Sequence, residues 1–149
     1  MHLSFQKFIC CLFLILTFFS CAIVPSVLSE SEMGADSLLI GTGGGFTGRE
    51  TAYLLTSKGL LYQKKASKYE KVGIMDIKWA RQAFFVYETQ NLEEMDTHAP
   101  GNTYYFIERH KAGTVKKLIW GKESGQPEIL YQFHRFLWNQ IAILQDQKK

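Results

Sequence analysis

The sequence predicts an α+β domain in which one antiparallel sheet of about five strands carries two amphipathic helices on one face, in the order βββαββα. Three observations carry this. Short β-prone runs separated by glycine- or asparagine-containing turns fall in two groups; two other stretches repeat apolar residues at spacings of three and four; and each such stretch follows one of the strand groups.

Ser37 to Gly41 is a short apolar run ended by a glycine cluster. Glu50 to Thr56 and Leu60 to Lys64 then flank Ser57-Lys58-Gly59, a polar connection of the hairpin kind, so the domain begins with three strands. From Ile74 onward, Ile77, Ala80, Phe84 and Tyr87 recur at helical spacing with Asp76, Lys78, Arg81 and Glu88 elsewhere on the wheel, which predicts a helix of about four turns. Pro100-Gly101-Asn102 breaks the chain. Tyr104, Phe106 and Glu108 next alternate with Tyr105, Ile107 and Arg109, and Val115 to Trp120 follows Ala112-Gly113, giving a second hairpin. Pro127 suits a first helical position, Glu128 the first turn, and Leu130, Phe133, Leu137, Ile141 and Leu144 form the stripe of a long closing helix. Trp79, Trp120 and Trp138 are read mainly as core, with an aromatic platform for sugar or peptide as the alternative for Trp120.

The amino terminus reads as an export signal. Met1 to Lys7 is short and basic and Phe8 to Phe19 is an apolar run of about a dozen residues, shorter than the roughly twenty a membrane span needs. Phe18-Phe19-Ser20-Cys21 resembles the lipobox of bacterial lipoproteins, which implies acylation of Cys21; cleavage nearer Ser29 is the alternative. Residues 1–20 are then a signal peptide, 21–36 a flexible tether with Pro25, and 37–149 one domain. At about 0.8 kcal/mol per buried methylene, two or three acyl chains such as palmitate would hold the protein to a membrane, the outer membrane of the cell envelope on this reading. All three cysteines, Cys10, Cys11 and Cys21, lie in or beside the leader, so no disulfide staples the domain and its stability must come from its core.

A net charge of +3 over 149 residues excludes a dedicated polyanion binder, and nucleic acid is not expected as a partner. The densest basic run, Lys64, Lys65, Lys68 and Lys71, is interrupted by Glu70 and reads as a solvated loop. His98, His110 and His134 lack the spacing of a zinc helix. His98 with Asp96 is read as a solvated turn rather than a cation site, and Glu93-Glu94 has no nucleophile placed beside it. No G-x-S-x-G pattern occurs, so no enzyme, metal or cofactor is inferred.

The informative segment is Gly43-Gly44-Gly45-Phe46-Thr47-Gly48. Formally it satisfies G-x-G-x-x-G after an apolar run, and an oxidoreductase-like protein binding FAD or NAD through Gly43 to Gly48 is the alternative reading. That reading needs a helix at residues 50–56 and an acidic residue after the next strand, where the chain offers Gln63-Lys64-Lys65. The preferred reading is a turn between antiparallel strands in which Gly43, Gly44 and Gly45 accept positive φ and leave Phe46 and Thr47 at the tip. Phe46 then either folds back to cap the sheet or projects as the anchor of a partner-binding loop.

The segment from Ile40 to Tyr62, the Pro100-Gly101-Asn102-Thr103-Tyr104-Tyr105 stretch, and Trp120-Gly121 with Pro127 resemble an uncharacterised group of small bacterial lipoproteins with a GGGFTG-type start. Gly44, Gly45, Phe46 and Gly48 also resemble the GGF-x-G opening of emfourin-type inhibitors of secreted thermolysin-like metalloproteases, which end in a Pro-led helix. That likeness implies that these residues form or support an inhibitory surface; the lipid anchor and the longer central part depart from the pattern. The sequence thus points to a lipid-anchored envelope interaction protein whose Gly43–Thr47 loop meets an envelope or secreted partner.

Overall fold

The computed structural model describes residues 27–28, 36–121, 125 and 127–147, so the expected leader, Cys21 and most of the expected tether lie outside the described residues. The class is α+β. Eight strands, β1 (Val27–Leu28), β2 (Ser37–Gly44), β3 (Thr51–Thr56), β4 (Leu60–Lys65), β5 (Lys68–Ile74), β6 (His98–Ala99), β7 (Thr103–Lys111) and β8 (Thr114–Gly121), form one sheet. Their order is β1-β5-β4-β3-β2-β7-β8-β6, antiparallel except where β6 lies parallel to β8. Two helices, α1 (Ile77–Thr89) and α2 (Glu128–Asp146), follow β5 and β8.

The strand count exceeds the five expected, and the order differs from the expected one. The run through Lys64, Lys65, Lys68 and Lys71 is a hairpin, with Lys64 opposite Tyr69 and Tyr62 opposite Lys71, and not a solvated loop. Its lysines hide the strand because Lys has low β-propensity, while Tyr62 and Tyr69 supply the buried positions. A bulge between Leu61 and Tyr62 shifts the register. Val27 and Leu28, placed in the tether by sequence, pair with Glu70 and Tyr69 as an edge strand.

Strand β2 is central, flanked by β3 and β7, and its residues from Ser37 to Gly41 are all buried. A continuous apolar run is what burial on both faces demands. Leu38 and Ile40 face the helices and join Leu55, Leu61, Ile107, Leu118 and Trp120 beneath Ala80, Ala83, Phe84 and Tyr87 of α1 and Leu130, Phe133, Leu137 and Ile141 of α2. Leu39 faces the other way, with Ala52, Leu54, Tyr62, Tyr69 and Phe106. Both helices therefore lie on one face, as the two apolar stripes imply.

Helix α1 is capped by Asp76, whose carboxylate accepts the Lys78 N–H at 2.7 Å. Helix α2 begins one residue later than expected, with Pro127 at the capping position. It crosses the sheet from Gly121, where the Tyr131 hydroxyl donates to the carbonyl at 2.6 Å, to Gly73 on β5, where only a missing side chain leaves room for Leu144.

Arg109 is buried under this layer. Its guanidinium pairs with Asp36, lies 3.6 Å from Glu88 of α1, donates to the carbonyls of Ser37 and His110, and sits 4.7 Å from the Phe84 ring centre. One cation thereby joins the start of β2, the end of β7 and α1.

Candidate functional site: a glycine hairpin and an aromatic recess

Thr51–Thr56 is a strand antiparallel to β2, with Thr42 opposite Thr51. This overturns the dinucleotide-binding reading, because the G-x-G-x-x-G mechanism needs a helix N-terminus after the glycines and here a strand follows. The glycines serve a hairpin instead. Gly44, Gly45 and Gly48 have φ of +90°, +69° and +59°, the region L side chains avoid. Gly43 does not, contrary to expectation; it is extended and pairs with Tyr104, whose ring occupies the space a side chain would need.

The turn is pinned to a neighbour. The Gly45 N–H donates to the Asn102 carbonyl at 2.7 Å and the Gly48 N–H to the Gly45 carbonyl at 3.1 Å, fixing the tip against the Pro100-Gly101-Asn102 turn. A side chain on Gly44 would strike that same Asn102 carbonyl. Phe46 stands at the tip with its ring wholly in solvent, at 107% relative exposure, so it does not fold back onto the sheet. Thr47 beside it is exposed as well. Glu50, just past the turn, meets Lys64 at 3.2 Å and accepts from the Tyr104 hydroxyl at 3.4 Å.

Behind the hairpin, on the helix side, lies a recess of about 310 Å³ lined by Thr42, Tyr105, Tyr131, His134, Arg135, Trp138 and Asn139. His134 closes its floor. The imidazole stacks on Trp138 at 5.4 Å, meets Tyr105 edge-on at 5.1 Å, and donates from Nε2 to the Gly41 carbonyl at 2.9 Å. Burial holds its pKa below the usual 6.5, so the ring is neutral near pH 7. With Nε2 donating, Nδ1 is left as a hydrogen-bond acceptor.

Sequence reasoning missed this recess. There His134 reads only as lacking the spacing of a zinc helix, and a His one position from Phe133 gives no signal that it reaches across to β2. Trp120, considered as an aromatic platform, has no exposed surface and is core only. Trp79, expected in the core, is 46% exposed. Ile77, assigned to the buried stripe of α1, is exposed too, and Ala83 takes the buried place. His98 is an exposed edge residue on β6, and His110 pairs with Glu108 at 2.8 Å, which with Lys117 holds the Glu108 carboxyl below its usual range. Among the described residues no group of three His, Cys, Asp or Glu side chains is placed to hold a metal ion.

No family model matches the chain, and no curated protein matches it.

Proposed function

We propose that this chain is an exported, lipid-anchored interaction protein of the cell envelope, held through Cys21 and binding an envelope or secreted protein through the Gly43–Thr47 hairpin. The observation that carries the reading is Phe46, a large apolar ring fully in solvent on a backbone pinned at both sides. Burying such a ring in a partner contributes roughly 1.5–3 kcal/mol, and a tip already held in shape loses little entropy on docking. Gly43, Gly44 and Gly45 support the tip, and Thr47 supplies a hydroxyl beside the anchor. The likeness to emfourin-type inhibitors supports a secreted metalloprotease as one kind of partner.

The experiment is a comparison of acylated wild-type protein with its Phe46→Ala variant in capture from the native envelope, with inhibition of a thermolysin-like protease measured in parallel. A partner retained by wild type and lost from Phe46→Ala supports the reading. Identical capture profiles refute the use of this loop, and no inhibition at micromolar protein removes the inhibitor version. Metabolic labelling with palmitate that survives Cys21→Ser would overturn the anchor.

A further inference from the structure

On the other flank of α2 from the aromatic recess, α1 and α2 line a cleft of about 630 Å³, within the roughly 300–1,000 Å³ typical of sites for small organic ligands. Phe133 and Val86 form its floor, Trp79, Ile129 and Phe136 its walls, and the Trp79 and Phe136 ring centres stand 5.7 Å apart. Lys78 and Gln82 belong both to this cleft and to a second depression that continues over α1 to Arg81 and Phe85. Phe85 is 60% exposed there. Lys78 and Arg81 form no ion pair with any described residue; Arg81 borders a further depression with Asp36 and Glu88, but those carboxylates pair with Arg109 and, for Glu88, Lys111. Of the carboxylates here, Asp76 is turned onto the helix end and bonded to the Lys78 N–H, and Glu128 accepts from the rim residue Gln132 at 3.5 Å.

We infer that this cleft binds a single anionic lipid, with an acyl chain between Trp79, Val86, Ile129 and Phe136 and a phosphate headgroup on Lys78 and Arg81. An apolar cleft bordered by two cations that form no ion pair with any described residue matches an amphiphile whose head is negative. A wholly apolar ligand would leave the cations unused, and a free phosphate would leave the slot empty. The site is separate from the hairpin, and Phe46 takes no part in it.

Native mass spectrometry of the full chain, released from detergent into an equimolar mixture of phosphatidylglycerol and phosphatidylcholine, tests this. The expected result is retention of one phosphatidylglycerol, preferred about tenfold, as two charge-assisted contacts would supply. The Lys78→Gln/Arg81→Gln double variant should lose that preference while still holding either lipid. Val86→Trp, which fills the slot, should retain neither; Gln132→Trp on the exposed rim serves the same purpose should Val86→Trp not fold. Inorganic phosphate should not displace the lipid. Equal retention of the two lipids, or displacement by phosphate alone, overturns the inference. So does a photo-reactive residue at Gln132 that cross-links protein rather than lipid in the native envelope. Phe46→Ala should leave lipid retention unchanged, which keeps this result distinct from failure of the hairpin reading.

Discussion

The ring of Tyr104 lies across Gly43, at the foot of the hairpin that carries Phe46. Two register positions along, Phe106 lies across Gly41 in the same way. Two glycines of the central strand are thus covered by two aromatic rings of β7, and part of the glycine richness serves sheet packing rather than turning.

Substitution separates these roles. In Gly41→Ala the new methyl group falls inside the ring of Phe106, which is fully buried, and 2.9 Å from the Thr51 carbonyl. Neither can yield freely, so the variant should lose about 1–3 kcal/mol. Gly43→Ala meets only Tyr104, whose ring is partly exposed and can swing outward, and should cost less. Urea denaturation of the two variants checks the order.

Phe46→Ala should be silent in the same assay. A wholly exposed ring makes no packing contribution to lose, so stability should stay within about 0.5 kcal/mol of wild type. A large loss would show that the ring serves the fold and would remove the main support for the hairpin as a binding site.

Arg109 and Asp36 should behave asymmetrically. Asp36→Asn leaves a guanidinium of 1% exposure with only Glu88 as a nearby counter-charge, and should cost about 3 kcal/mol. Arg109→Met removes the buried charge itself and replaces it with apolar volume between Phe84 and Tyr87, so it should cost less. Equal losses would show that the hydrogen bonds to Ser37 and His110 matter more than the charge.

Stability should fall with acidity in two stages. His134 is held below 6.5 in the folded chain by burial, so the unfolded chain binds the proton first, and stability declines as pH drops below 6.5. Glu108, held below 4.5 by His110 and Lys117, adds a second loss as pH falls through that range. At the alkaline end, burial pushes the Tyr87 hydroxyl up to about 12 from 10.0, so stability present below pH 10 is lost between those values. Urea midpoints measured across pH check this, and His134→Gln should remove the first acid stage alone.

Much of the architecture was legible because it is written in local periodicity. The stripe Leu130, Phe133, Leu137 and Ile141 is one helix face, and the alternation of Phe106 and Glu108 with Ile107 and Arg109 is one strand. Strand β5 was illegible, since its lysines carry a loop composition and only pairing with β4 reveals Tyr69 as buried. The candidate hairpin was legible in Gly43 to Gly48, but the exposure of Phe46 was not.

By itself the sequence determined the α+β class, the two helices on one sheet face and the hairpin at the glycines, because each depends on spacing within a dozen residues or so. Only the tertiary structure decided the eight-strand order, the burial of Arg109, the reach of His134 to Gly41 and the cleft between α1 and α2. Those features join residues distant in the chain, 93 positions for Gly41 with His134, or arise from two helices meeting, and no local pattern encodes which distant surfaces come together.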